Sequence, residues 1–100
     1  MTDTIHLVRF RLKHGKTAAD CLKANEKINE WTKLRPGFRF RSLSESDDGE
    51  WIIMVYWESL EAAQASEARF DEEMGAVVQP LIAHESIATS FSKVHTMQRG

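Results

Sequence analysis

Three residues of this 100-residue chain are of types, and in positions, that could do chemistry: His6, Trp57 and Asn25. His6 lies in the run Ile5-His6-Leu7-Val8-Arg9-Phe10-Arg11-Leu12. It is the only ionisable side chain on a parity otherwise made of Val8, Phe10 and Leu12. An imidazole titrates near neutral pH and can act as a general base, taking a phenolic proton or one α to a carbonyl. A strand-end imidazole bonded to backbone or water fits the same pattern. Trp57 closes an apolar run; its indole could stack on an aromatic ligand and donate one hydrogen bond, or close the sheet end as core against Leu60 and Ala63. Asn25 falls inside the apolar stripe of a helix, where a buried amide must find partners. A ligand carbonyl or phenol would serve, and so would a backbone group of the sheet.

Other catalytic signatures are missing. His14, His84 and His95 have no second His or carboxylate at a ligand spacing, so no metal site is expected. There is no Gly-x-Ser-x-Gly elbow and no Gly-rich phosphate loop. Arg9, Arg11, Arg39 and Arg41 alternate on neighbouring strands as a basic stripe, open either to an acidic ligand or to Glu45, Glu50 and a partner subunit. Glu67 drifts toward the apolar face of the second helix and reads as a solvated rim position.

The elements that must position these residues follow from the apolar period. Residues 5–12 alternate as a strand, with His6, Val8, Phe10 and Leu12 on one face. Residues 17–33 read as a helix opened by Thr17 and Asp20 as a capping box, with Ala18, Cys21, Leu22, Ala24, Ile28 and Trp31 on one side. Asn25 and Thr32 share that arc. Pro36-Gly37 turns the chain into a second strand, residues 38–46, with Phe38 and Phe40 expected on one face and Arg39 and Arg41 on the other. Asp47-Asp48-Gly49 signals a hairpin into Trp51–Trp57, apolar on both parities and hence a central strand. Ser59 caps a second helical region, which Gly75 and Pro80 are expected to break into two pieces near Phe70-Asp71 or just after. Residues 86–94 read as the last strand.

The order β-α-β-β-α-(α)-β is that of a ferredoxin-like α+β domain, an antiparallel four-stranded sheet with helices on one face, spanning residues 1–100 as one domain. The other face would expose Ile5, Leu7, Ile52, Met54 and Tyr56, with Ile87 and Phe91. So apolar a face predicts a homodimer formed sheet to sheet. Composition agrees with a small globular domain: 42% apolar and 28% charged residues. Thirteen Lys and Arg against fifteen Asp and Glu give a net charge of −2, which argues against nucleic acid as the main partner. The longest apolar run has seven residues where a membrane helix needs about twenty, so no membrane span is expected. A single cysteine excludes a disulfide framework, and with no basic leader at Met1-Thr2-Asp3-Thr4 the expected location is cytoplasmic.

Ile5-His6-Leu7-Val8-Arg9-Phe10-Arg11-Leu12-Lys13 resembles the first strand of the dimeric α+β barrel proteins. Pro36-Gly37-Phe38 is similar to the turn into their second strand. Asp48-Gly49-Glu50-Trp51, followed by Val55-Tyr56-Trp57-Glu58-Ser59-Leu60-Glu61-Ala62-Ala63, is similar to their hairpin, third strand and next helix start. Across nearly the whole chain the pattern resembles the antibiotic biosynthesis monooxygenase family. That resemblance implies the dimeric barrel and one of several oxidative chemistries. Some members oxidise polycyclic phenols without a cofactor; others degrade haem. Trp57 falls at the strand-three Trp of both types. Val8 and Met74 stand where the haem-degrading type carries Asn and His, and Ile53 where the anthrone-oxidising type carries Asn. His6 matches a strand-one His of a sister group that includes a polyketide cyclase.

The expected site is a mostly apolar cleft between sheet and helices, which suits a small-molecule substrate. Val8, Phe10, Ile53 and Val55 would wall it from the sheet, and Thr32, Phe70 and Met74 from the helices. His6 would be the base, Trp57 the stacking wall and Asn25 an orienting group, with no metal or organic cofactor. The leading expectation is a cofactor-independent monooxygenase acting on a small phenol or quinol. The competing ones are an oxygen-independent polyketide cyclase or isomerase using His6, and a non-catalytic binding protein.

Overall fold

The computed structural model describes residues 2–100. Its elements run β1 (Thr4–Leu12), α1 (Ala18–Thr32), β2 (Phe38–Glu45), β3 (Trp51–Trp57), α2 (Leu60–Val78) and β4 (Ile82–Lys93). The strands form one sheet in the order β2-β3-β1-β4, with every neighbouring pair antiparallel. The ferredoxin-like α+β arrangement expected from the sequence is the one observed. No helix is long and apolar enough to cross a membrane.

Register explains which residues face inward. Phe10 pairs with Trp51, Val8 with Ile53, His6 with Val55 and Thr4 with Trp57, so these eight share one face. Both helices cover that face. Cys21 and Ile28 of α1 and Val78 of α2 pack with Phe10 and Trp51, and Ala63 of α2 packs with Val55 and Trp57. The helices start as their sequences direct. Thr17 and Asp20 form the reciprocal capping box, and the Ser59 hydroxyl accepts from the Ala62 amide at 3.1 Å.

Three expectations are corrected. First, α2 is one continuous helix of nineteen residues, not two pieces. Gly75 sits in its interior at a cost of about 1 kcal/mol relative to Ala, too little to break it, and Pro80 follows the C-cap Gln79, where a proline is harmless. The broken segment expected near Phe70-Asp71 therefore does not exist.

Second, Phe38 and Phe40 do not share a face. Phe38 pairs with Trp57 but Phe40 pairs with Tyr56, so Arg39 is an extra residue forming a β-bulge. Phe38 turns inward, edge to face with Trp57 at 5.9 Å between centroids, and Phe40 turns outward, stacked on Tyr56 at 4.4 Å. Beyond the bulge, Arg41 pairs with Val55 and also faces the helices.

Third, Ile87 and Phe91 belong to the helix side. Phe91 pairs with His6, and the residues between Ala83 and Ala88 bulge opposite Phe10, where the Arg11 amide bonds the Ser86 hydroxyl at 2.8 Å. That bulge also explains why β4 begins at Ile82, four residues before the alternation in the sequence becomes regular. The outer face is left with Ile5, Leu7, Ile52, Met54, Tyr56 and Phe40 among small residues such as Ser42, Ser90 and Ser92.

Candidate functional site

A cavity of about 240 Å³ lies between the inner sheet face and the two helices. Strand parity and the helical period bring most of the sequence-predicted residues to it. His6, Val8, Phe10, Ile53, Val55 and Trp57 line it from β1 and β3; Asn25, Thr32 and Phe70 line it from α1 and α2. Met74 does not: it packs against the cluster around Phe10 and Trp51. The volume corresponds to about eight water molecules, enough for a ligand of two or three fused rings.

Two buried polar atoms of cavity-lining residues lack protein partners, His6 Nε2 and Trp57 Nε1. A buried polar atom without a partner is rare and costs free energy, so a ligand that bonds either atom recovers it. His6 is held by geometry rather than by hydrogen bonds. Its ring stacks on Phe91 at 4.4 Å with planes 15° apart, and its side chain is 13% exposed. Burial pushes its pKa below the ordinary 6.5, and only the Glu67 carboxylate, 4.0 Å from Nε2, pulls it back up. The imidazole is therefore neutral at pH 7. Its Nε2 makes no hydrogen bond to the protein and lies 4.0 Å from the Glu67 carboxylate.

The other predicted polar residues are committed within the protein. The Thr32 hydroxyl donates to the Ile28 carbonyl at 2.7 Å. The Asn25 side-chain oxygen accepts from Arg41 Nη1. Trp31 also lines the cavity, and its indole N–H donates to Glu73 Oε1 at 2.9 Å, a clasp between α1 and α2.

Sequence reasoning named Arg41 without singling it out and underrated Glu67. Arg41 was one of four arginines in an apparent surface stripe, and only the bulge at Arg39 turns it inward. Glu67 is half-exposed, as a rim position would be, yet its carboxylate stands 4.0 Å from His6 Nε2.

The lowered His6 pKa carries a stability signature. The unfolded chain binds this proton more tightly than the folded one, so the His6 contribution is full above about pH 6.5 and is lost as pH falls from there through the lower folded-state pKa. In urea titrations the wild type should lose more stability than His6→Phe between about pH 7.5 and about pH 5. Equal losses would assign the acid sensitivity to other groups.

No family model matches the sequence, and no curated protein matches it. Solved structures do match. SnoaB, a cofactor-independent oxygenase from Streptomyces nogalater, aligns over 99% of this chain and 97% of its own with a TM-score of 0.72 at 15% identity. The ActVA-Orf6 monooxygenase of Streptomyces coelicolor, solved in complex with nanaomycin D, aligns over 99% and 93% with a TM-score of 0.71 at 20% identity. A dimeric ferredoxin-like protein of unknown function from Thermobifida fusca aligns over 93% and 92% with a TM-score of 0.73 at 9% identity. The chain thus has the ferredoxin-like α+β fold of the antibiotic biosynthesis monooxygenases, as the resemblance of its strands and turns implied.

Proposed function

We propose that this domain is a cofactor-independent monooxygenase that oxidises a small aromatic phenol or quinol in the cavity between sheet and helices. The observation that carries the reading is His6, a largely buried, neutral imidazole in the wall of an apolar cavity, whose Nε2 has no hydrogen-bond partner in the protein. A base so placed removes an acidic proton from an anthrone-type substrate and leaves a delocalised carbanion. The carbanion passes an electron to O₂, the radical pair recombines as a peroxide, and O–O cleavage leaves a ring carbonyl. A substrate methylene and one O₂ become one carbonyl and one water. The proton held by His6 returns to the departing hydroxide. Glu67 stands where it would stabilise the imidazolium between those events. Trp57 offers its indole N–H to the developing oxyanion, and the apolar walls keep water from the carbanion.

The test is oxygen uptake by the purified protein with anthrones and hydroquinones. Stoichiometric O₂ consumption with quinone formation is expected. Product formed equally well under strict anaerobiosis would overturn the reading in favour of a cyclase or isomerase.

We also infer that a second copy of the chain covers the outer sheet face. A monomer of 11.5 kDa is expected to expose about 5,800 Å², whereas this chain exposes 6726 Å². Burying Leu7, Met54, Tyr56 and their neighbours against a twofold mate would remove the apolar part of that excess. Light scattering should give twice the chain mass, and Leu7→Glu should give a monomer; a wild-type mass of 11.5 kDa at micromolar concentration would defeat the inference. The single, buried Cys21 supports a reducing, cytoplasmic setting for the dimer.

A further inference from the structure

The mechanism above leaves the arginine of the cavity without a task. Arg41 lines the cavity from β2 and is largely removed from solvent. No carboxylate among the described residues lies within ion-pair distance of it, although Glu67 and Asp71 both line the same cavity. Its protein partners are neutral: Nη1 donates to the side-chain oxygens of Asn25 and of Asn29, the latter at 2.8 Å. Burial lowers its pKa to about 10, so the guanidinium remains charged at pH 7. The neighbouring Cys21 thiol does not balance that charge, because its own burial pushes its pKa up and keeps it protonated.

Three arginines at the surface are paired with carboxylates. Arg11 pairs with Asp48 at 3.0 Å, Arg39 with Asp3 at 3.6 Å and Arg69 with Glu73 at 2.6 Å. Only a buried cation pays the desolvation cost of burial, and an uncompensated one recovers it by meeting an anion. The two asparagines hold Nη1 on one side and leave the rest of the fork for an acceptor. A planar guanidinium fork matches a carboxylate.

We propose that Arg41 is the anion-binding end of the cavity and that the aromatic ligand carries a carboxylate, which Arg41 receives while His6 and Trp57 face the ring. Asn25 and Asn29 are positioning residues: they aim the fork. This rests on reading the cavity as a site for a small aromatic ligand.

The test separates the two ideas by pairing an acid with its neutral isostere. Calorimetric titration of the wild-type protein at about pH 7.5 with 1-naphthoate and with 1-naphthamide should show the acid binding about tenfold or more tightly. In Arg41→Gln the acid should fall to the affinity of the amide, while the amide binds as it does to the wild type, which also shows that the cavity is intact. Arg41→Lys should keep part of the preference. Equal affinities in the wild type would overturn the anion subsite and leave the aromatic cavity standing. A preference that survives in Arg41→Gln would overturn its assignment to Arg41. Failure of both probes to bind would overturn the subsite together with the small-molecule reading of the cavity.

Discussion

Replacing His6 with Ala should lower oxygen consumption with an anthrone by about 10²- to 10⁴-fold, the usual contribution of a placed general base. The fold should survive. Nε2 makes no hydrogen bond to the protein, so none is lost, and the cost reduces to the stacking against Phe91 and a small void. Because the void opens onto the cavity, added imidazole can enter it and should restore part of the rate, which a merely structural histidine would not permit. The pH profile should change with it. Wild-type activity should fall on the acid side with an apparent pKa below 6.5, and the residual activity of His6→Ala should lack that limb. Turnover within about threefold of wild type would remove His6 from the mechanism.

The second large effect concerns the joint that carries Trp57. Gly37, in the turn between α1 and β2, has φ of +84°. A Cβ there would come within 2.7 Å of Ala62 Cβ and 2.8 Å of Glu58 Cγ. Its carbonyl accepts from the Glu58 amide at 2.8 Å, tying the turn to the end of β3 directly after Trp57. Gly37→Ala therefore combines an unfavourable backbone region with a close approach to α2 and should cost about 3 kcal/mol or more, a drop of about 12 °C or more in melting temperature. Gly15→Ala is the matched control. Its φ is +87°, but nothing lies within 4 Å of the added carbon, so about 1–2 kcal/mol is expected. Equal losses in the two variants would mean that α2 moves aside and that the close approach at Gly37 is not rigid.

Much of this architecture was legible in the chain itself, and the failures have physical causes. Alternation placed His6, Val8 and Phe10 on one face because β1 pairs with β3 without interruption from Thr4 to Phe10. The same rule failed for Phe38, Phe40 and Phe91, since a bulge shifts parity by one and leaves no clear mark in the residue types. Gly75 misled because helix-breaking tendency is local, whereas the α2 residues on either side of it are anchored by packing: Phe70 and Met74 against the core, Val77 and Val78 after it. Arg41 could not be singled out from Arg9, Arg11 and Arg39 by composition or spacing. Its distinction is an inward turn created by one neighbour.

That turn has a consequence for how such a cavity could diversify. Phe38 and Arg41 have opposite parity in sequence, so a flat β2 could keep only one of them inside; the extra residue admits both. β2 is an outermost strand, bonded to β3 alone, so an insertion or deletion there disturbs a single ladder. His6 sits on β1, clamped between two ladders, where any slip would displace residues on both sides. The two ends of the cavity are thus unequally free to drift. The reactive end is fixed by the centre of the sheet, and the end that reads ligand charge lies on its margin, where one residue gained or lost could exchange an acid-binding pocket for a neutral one.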